Sequence, residues 1–579
     1  MQAKPKSSTP AIASSSISAL PRRNLLKGAA AIACGAMGPG AISDVVAAPA
    51  RPNASGAAPL VARDGEAVVA TRAGRVAGYV RNAIYTFKGI PYADDTAGAN
   101  RFMPPAKPKP WIGVRSSRQY GYVAPQAPRA GWANDEEAFM FAWDDGAQSE
   151  DCLRVNVWTS GINDRKKRPV MLWLHGGGYT AGSGQELRSY DGENLARRGD
   201  VVVVSLNHRL NVFGYLDLSG YGDRYAASGN LGMLDIVAAL EWVRDNIGNF
   251  GGDPASVTIF GQSGGGGKVS ALMAMPAAKG LFHRAIVESG SLLRGIPRQN
   301  AQKTADIIVG ELGLTRDTLA RIQTLPFQQV LDAAQKALRQ HPRPPGGIPN
   351  FRRISDSIGF APVVDGNTLP THPFDPQAPA ISRDISMIIG TTLNEFVTAI
   401  NHPEYEAMSD EILHSRVREV FGDEANAVIA AFRDRTPQAK PFDLWSRIAS
   451  SGVRGSAIQQ AKLKAEQGGA PAYLYWFTWQ TPILSGRPRA FHCSEISFVF
   501  DNTDRCETMT GGGADARALA GKMCDAWIQF ARTGNPNHAQ LPRWPAYAAD
   551  TQATMIFDDA PKVALNPDGQ EQRRVAETA

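Results

Sequence analysis

The chain of 579 residues is long enough for one large domain or for two or three ordinary ones. Its hydrophobic content of 43% and charged content of 20% are typical of a folded protein and exclude extensive disorder. The net charge is +6, but the first 50 residues hold five basic residues and one acidic residue, which leaves +2 for the remainder. This near balance gives no reason to expect nucleic acid or an anionic membrane as a partner.

The first 50 residues have the pattern of an export signal. A basic segment with the pair Arg22 and Arg23 precedes a run rich in glycine and alanine, and small residues follow at 47–50. The arginine pair resembles a twin-arginine signal, which exports folded proteins. A proline and an aspartate interrupt the run, so it predicts no stable membrane anchor. We expect residues 1–50 to be removed, residues 51–63 to be a linker, and the mature protein to work in the periplasm or outside the cell.

The chain from residue 64 to residue 579 predicts a single α/β domain. Short alternating segments between residues 67 and 93 predict an antiparallel start. Continuous aliphatic runs then predict central strands that are covered on both faces. These runs lie at 153–158, 170–174, 201–206, 256–260 and 285–288. A helical pattern at 234–247 separates two of them, so we expect a mostly parallel sheet flanked by helices.

Residues from about 300 to 379 break this alternation. They are rich in helix formers, arginine and proline and show no regular strands. We predict a helical, cap-like excursion that shapes the substrate entrance. Strands at 384–391 and 472–479 and a helix at 514–533 follow it.

Four cysteines lie beyond the first 50 residues. In an oxidising compartment four cysteines permit up to two disulfides. Cys506 and Cys524 flank a glycine-rich loop and the start of a helix, which suits a loop-closing bond. Buried thiols are the alternative.

The most informative motif is G-x-S-x-G around Ser263. The predicted strand at 256–260 runs into Gly261, Gln262 and Ser263, and a helical pattern follows. Glycine on both sides permits a sharp turn, and the serine stands at the positive end of the helix. The motif alone is a weak signal, and a glycine-rich surface turn is the alternative. The strand before it and the helix after it favour a nucleophilic serine.

A serine nucleophile needs donors for the oxyanion that forms on the attacked carbonyl. His175 and three glycines follow the predicted strand at 170–174. Glycines let backbone N–H groups converge without obstruction, and we assign the donors to Gly177, Gly178 and Gly264. A tight strand exit is the alternative, and His175 is predicted to be structural.

The serine also needs a base and an acid, which follow it along the chain in α/β-hydrolases. His492, in the loop after the strand at 472–479, is the predicted base, and His538 is its rival. Glu395 comes just past the end of a buried strand and is the predicted acid. Asp365 is its rival, although its place before a glycine suits an ordinary turn.

With these residues assembled, the chain resembles the type-B carboxylesterase family, which includes cholinesterases and bacterial para-nitrobenzyl esterases. The resemblance runs from about Ala67 to about Ala548. Its markers are FKGIPYA at 87–93, SEDCL at 149–153, HGGGY at 175–179, FGGDPASVTIFGQSGG at 250–265, VESGS at 287–291, GTTLNE at 390–395 and FHCSEISFVF at 491–500.

The resemblance implies an α/β-hydrolase fold and a triad of Ser263, Glu395 and His492. It also implies an oxyanion hole at the three glycines named above. The expected reaction is hydrolysis of small-molecule carboxylic esters through an acyl-enzyme on Ser263, with no metal and no organic cofactor. An acyltransferase or amidase with the same triad and a non-catalytic binding protein are the alternatives.

Three positions depart from the family pattern. Gln262 stands where glutamate is frequent, which removes a negative charge and weakens any preference for cationic substrates. Phe396 replaces the glycine that usually follows the triad glutamate. Cys152 matches a family disulfide cysteine, but no cysteine occurs where its partner is expected. Arg101 matches an arginine that pairs with the position of Glu150, a structural role.

Overall fold

The strands follow the aliphatic runs of the sequence. The computed structural model describes residues 60–127, 135–341 and 358–578. Its strands are β1 Val68–Ala70, β2 Arg75–Ala77, β3 Tyr79–Arg81, β4 Ile84–Pro91, β5 Val114–Ser116, β6 Arg154–Thr159, β7 Arg168–Leu174, β8 Val202–Leu206, β9 Gly252–Gln262, β10 Arg284–Glu288, β11 Ile296–Pro297, β12 Val363–Val364, β13 Ser386–Thr392, β14 Ala472–Phe477, β15 Ala553–Phe557 and β16 Lys562–Leu565.

Within these described ranges, eleven strands form one sheet in the order β16-β15-β14-β13-β10-β9-β7-β8-β6-β4-β3. The strands from β15 through β8 pair in parallel, and antiparallel pairs lie at both edges. Every residue of β7 is buried, as expected for a strand covered on both faces. The predicted mostly parallel sheet with an antiparallel start is confirmed.

Helices cover the sheet and connect its strands. They are α1 Asp135–Phe141, α2 Glu193–Gly199, α3 Asn211–Tyr215, α4 Leu231–Asn246, α5 Gly264–Leu272, α6 Arg298–Glu311, α7 Phe327–Gln340, α8 Asp410–Phe421, α9 Ala425–Arg435, α10 Pro441–Glu466, α11 Ile496–Val499, α12 Glu507–Thr510, α13 Ala514–Thr533 and α14 Gly569–Glu577. The helix predicted at 514–533 is α13, and that predicted at 234–247 coincides with most of α4. Parallel pairing requires such crossovers, because consecutive strands must start from the same edge of the sheet.

The excursion predicted at about 300–379 is helical in its described part. It contains most of α6, all of α7 and the short strand β12, which pairs with β11. Residues 342–357 lie outside the described residues. The described remainder lines no part of the candidate site, whose described walls come from other segments.

Arg101 gives the physical reason for this placement. Its Nε donates to buried Glu150 at 2.7 Å, and its Nη1 donates at 2.7 Å to the carbonyls of Ile322 and Leu325. These bonds fasten the connection between α6 and α7 to the Arg101 turn, away from the serine. The pairing of Arg101 with Glu150 is the structural role that the family resemblance implies.

Cys152, Cys506 and Cys524 are buried and form no disulfide. The loop-closing bond suggested for Cys506 and Cys524 is therefore absent, and the alternative of buried thiols describes both. Spacing along the chain does not settle such a bond, because the distance between the Cα atoms and the direction of the Cβ atoms decide it.

The proposed export signal lies outside the described residues. In the part of the chain that the structure describes, no helix combines the length and the apolar character needed to span a membrane.

Candidate active site

Ser263 occupies a sharp turn between β9 and α5, as the motif predicts. Its backbone has a φ of 58°, which residues other than glycine rarely adopt, so the turn holds the serine in a strained conformation. Two bonds fix this conformation: Ser263 N donates to the Glu288 carbonyl at 2.8 Å, and Gly267 N donates to the Ser263 carbonyl at 3.0 Å. The hydroxyl lines a cavity at the end of the sheet.

The three predicted donors lie beside this serine. Gly177 and Gly178 have φ values of 79° and 62°, so glycine suits the loop after β7. A Cβ on Gly264 would lie 2.1 Å from the Gly178 carbonyl oxygen, which shows that the glycine loop and the serine turn are in direct contact. In the described structure none of the three N–H groups donates to another protein group, so all three remain available to a ligand.

Lys268 joins the glycine loop to α5, a contact that sequence reasoning missed. Its fully buried ammonium donates to the His175 carbonyl at 3.0 Å. The His175 ring stacks on His208 with 4.8 Å between ring centroids. Burial lowers the pKa of His208 well below its usual range, and the charge of Lys268 adds to this effect. A stacked pair of buried rings under the loop agrees with the structural role predicted for His175.

Glu395 and His492 meet although 97 positions separate them. The Nδ1 of His492 lies 2.5 Å from the Glu395 carboxylate, and His492 N donates to the Glu395 carbonyl at 2.8 Å. The other carboxylate oxygen accepts from Thr392 N at 3.0 Å, so the acid is fixed from two sides. A proton on Nδ1 leaves Nε2 as the basic nitrogen of the ring.

The two rivals occupy ordinary structural positions. The ring of His538 bonds to the Lys522 carbonyl at 3.0 Å, in the turn after α13. Asp365 accepts from the N–H groups of Asn367 and Leu369 at 2.9 and 3.0 Å, as in a tight turn. Neither lines the cavity that contains Ser263, whereas Glu395 and His492 both do.

Gln262 and Phe396 lie against the imidazole of His492. The amide nitrogen of Gln262 is 3.3 Å from Nδ1 and 3.2 Å from Nε2, and the amide oxygen accepts from the Cys493 thiol at 3.2 Å. The Phe396 ring centroid lies 3.9 Å from that of the imidazole. No direct hydrogen bond joins Ser263 to His492 within the described ranges, and such bonds often tighten only when substrate is bound.

Two further carboxyls, Glu288 and Glu495, are buried behind Glu395. Burial raises the pKa of Glu288 to about 8, although Trp527 Nε1 donates to it at 2.8 Å. Burial also raises the pKa of Glu495 well above its usual range, and the negative charges of Glu288 and Glu395 add to the effect. In the sequence both residues occur only within the family markers. Their proximity to Glu395 is not predicted there, because it depends on long-range packing.

The cavity in front of His492 has a volume of about 530 Å³, and its walls include five aromatic residues: Phe141, Trp143, Tyr190, Phe396 and Phe491. Phe141 stacks on Trp143 with 4.8 Å between centroids and meets Phe491 edge-on at 5.7 Å. Besides Glu395, two acidic residues, Glu137 and Glu186, also line it. Across the described ranges, no group of three or more histidine, cysteine or acidic residues has an arrangement suited to a metal ion.

The whole described domain is similar to known esterases. The model of the carboxylesterase family matches residues 65–575. The para-nitrobenzyl esterase of Bacillus subtilis is 35% identical over 88% of this chain and 98% of its own length. The phenmedipham hydrolase of Pseudarthrobacter oxydans is 34% identical over 84% of this chain and 94% of its own.

Solved structures of esterases are also similar to this chain. An esterase from Clostridium hathewayi, described as able to hydrolyse aliphatic aromatic polyesters, superimposes with a TM-score of 0.75 at 36% identity, covering 89% of this chain and 99% of its own. The carboxylesterase Est55 of Geobacillus stearothermophilus gives a TM-score of 0.73 at 36% identity, covering 88% of this chain and 99% of its own.

Proposed function

Because the chain belongs to the carboxylesterase family and is a carboxylic ester hydrolase, we propose that it works through an acyl-enzyme on Ser263. The proposed triad is Ser263, Glu395 and His492. The observation that supports it most directly is the 2.5 Å contact between His492 and the buried Glu395, at the wall of the cavity that Ser263 lines.

In the proposed first step His492 Nε2 accepts the proton of Ser263, and the serine oxygen attacks the ester carbonyl. The carbonyl oxygen becomes an oxyanion, which the N–H groups of Gly177, Gly178 and Gly264 stabilise. The tetrahedral intermediate then collapses. The bond to the alcohol breaks, and the alcohol leaves with the proton from His492.

In the second step water replaces the alcohol. His492 accepts a proton from water, the resulting nucleophile attacks the acyl carbon, and Ser263 leaves with the proton. Glu395 stabilises the imidazolium in both steps and keeps the proton of the resting ring on Nδ1. The protein needs no further group for this sequence of proton transfers.

The aromatic residues of the cavity wall favour, as substrate, an ester with an aromatic ring in its acyl or alcohol part, because such a ring can make stacked and edge-on contacts with them. The names of the relatives that act on para-nitrobenzyl esters and on aromatic polyesters point the same way.

We also propose export through the arginine pair, to be tested by replacing Arg22 and Arg23 with lysine and measuring where the protein accumulates.

The test of the mechanism is hydrolysis of p-nitrophenyl esters with short to long acyl chains, alongside a matched anilide. We expect Ser263→Ala to lower kcat at least about 10⁴-fold, since the residue acts as a unit with its base. Asp365→Asn and His538→Gln are matched controls at the rival positions and retain activity.

Activity that survives in Ser263→Ala contradicts the acyl-enzyme. Cleavage of the anilide as fast as the ester favours the amidase alternative. Transfer to an added alcohol in preference to water favours the acyltransferase.

A further inference from the structure

We propose that Gln262 and Phe396 clamp the imidazole of His492 from two sides and act as positioning residues in ester hydrolysis. This inference rests on the proposed triad. It extends that proposal by assigning a role to the two positions, next to the serine and next to the acid, at which the chain departs from the family pattern.

The first half of the clamp follows from two distances. The Gln262 amide nitrogen lies 3.3 Å from Nδ1 and 3.2 Å from Nε2 of the imidazole. In the plane of the ring, such a position would overlap a ring carbon. The amide therefore lies over one face of the ring, in the geometry of an N–H group directed at an aromatic system.

The amide itself has a fixed orientation. The Gln262 side chain is fully buried, and its oxygen accepts from the Cys493 thiol at 3.2 Å. The nitrogen, and with it the positive end of the amide dipole, is thereby turned towards His492. Burial and the thiol contact together leave the side chain little freedom to move away from the ring.

Phe396 supplies the second half. Its ring centroid lies 3.9 Å from that of the imidazole, with 38° between the planes. Gln262 and Phe396 would overlap if both occupied the same face at these distances, so they hold the ring from different sides. Phe396 is 44% exposed, and it covers the catalytic ring at the cavity wall where a glycine would leave the ring open.

The clamp and Glu395 together fix the orientation of the imidazole. A single hydrogen bond at Nδ1 fixes one edge of the imidazole but permits rotation about that bond. Contacts on the faces oppose the rotation and hold Nε2 in the orientation needed for the proton of Ser263. A misplacement of about 1 Å at such a group costs up to about 100-fold in rate.

The test uses four variants with the shortest p-nitrophenyl ester, whose small acyl group makes little use of the aromatic walls. We expect Phe396→Gly and Gln262→Met to lower kcat about tenfold or more with little change in KM. Phe396→Leu, which keeps an apolar side chain over the ring, is expected to recover much of the rate. Phe139→Leu is the matched control, because Phe139 is exposed and lies outside the cavity.

Gln262→Glu gives a readout that a merely structural role would not change. The ionisable groups around the imidazole are Glu395, with Glu288 and Glu495 buried behind it, and the cavity-lining Cys493, Glu137, Glu186 and His402. A carboxylate placed on the ring face favours the charged imidazolium. The acidic limb of the kcat/KM profile is expected to move up by about one pH unit or more, whereas Gln262→Met leaves it in place.

The clamp is overturned if Phe396→Gly and Gln262→Met retain the wild-type kcat, or if Phe396→Gly changes only the KM of long substrates. An unchanged pH profile in Gln262→Glu also overturns it. The Ser263→Ala variant separates the two proposals. Full activity in Ser263→Ala would contradict the triad. Loss of activity in Ser263→Ala, together with wild-type kcat in the clamp variants, would contradict the clamp alone.

Discussion

The two edges of the His492 imidazole meet opposite surroundings. The Nδ1 edge faces buried Glu395, whose carboxylate is held by Thr392 N, and two more buried carboxyls lie behind it. The Nε2 edge belongs to the cavity side, where aromatic walls enclose about 530 Å³. The Nδ1 edge of the ring thus faces a carboxylate that the protein already holds, and the cavity in front of the Nε2 edge leaves room for a ligand.

This difference indicates that the two sides of the ring have different roles. On the carboxylate side both oxygens of Glu395 have their hydrogen-bond partners before substrate arrives, so the tautomer of the ring is set in advance. On the cavity side the oxyanion donors have no protein partner in the described structure, and the substrate supplies the missing contacts. Changes on the first side should therefore affect chemistry and stability, and changes in the aromatic walls that do not touch the ring should affect substrate binding.

Among changes around the imidazole, the largest effect is expected from Glu395→Gln. An amide in this position donates its N–H to Nδ1 and forces the proton of the ring onto Nε2, which can then no longer accept a proton from Ser263. We expect kcat to fall about 10³- to 10⁴-fold, as for the equivalent change in other triads. Steady-state kinetics, with Asp365→Asn as the control, measure the loss. A reduction below about tenfold would show that the carboxylate side does not set the tautomer.

The carboxylate side also makes a prediction about stability. Burial raises the pKa of Glu288 to about 8 in the folded protein, against an ordinary glutamate pKa of 4.5. The folded state therefore binds more protons than the unfolded state between these values, and stability decreases as the pH rises through this window. The contribution of this one group is at most about 1.4 kcal/mol per pH unit.

Glu288→Gln should remove this dependence, because the amide keeps a hydrogen-bonding group of the same size without a titrating proton. We expect the free energy of unfolding in urea to fall less between pH 5 and pH 8 in the variant than in the wild type. Glu66→Gln, at an exposed position, is the matched control and should follow the wild type. Parallel curves for Glu288→Gln and the wild type would contradict the prediction.

The sequence predicts the two sides of the ring unequally well. Local patterns give the elements that carry the site: the strand before Ser263, the helix after it, and the strands that precede Glu395 and His492. Periodicity reports burial along one segment, and fixed spacing reports a turn, so both are readable without a structure. The position of the acid after β13 followed from the rule that functional groups gather at one end of the strands.

Contacts between distant segments are not readable in this way. Glu288 approaches Glu495 only because β10 and the loop before α11 pack together, and Phe396 covers His492 across 96 positions of sequence. The cavity walls likewise come from α1 and from residues 395–402 rather than from the described excursion. No periodic pattern marks such pairings, because they depend on how elements are packed rather than on how each one forms.

The smallest expected effect tests the cavity side. Trp143 is partly exposed and stacks on Phe141 with 14° between the ring planes, so Trp143→Ala removes one aromatic wall without opening the core. We expect the KM of an ester with an aromatic acyl group to rise about 2- to 10-fold, since such a contact contributes about 0.5–1.5 kcal/mol beyond the buried area. The kcat of a short aliphatic ester should stay near that of the wild type.

Phe139→Ala is the control for this change, because Phe139 is an exposed aromatic residue on the same helix as Phe141 and does not line the cavity. An equal rise in KM for aromatic and aliphatic esters would mean that Trp143 shapes the cavity without recognising aromatic groups. A loss of kcat on the short ester would mean that the wall at Trp143, which does not touch the ring, also helps to hold it, and the division between ring positioning and substrate binding would no longer stand.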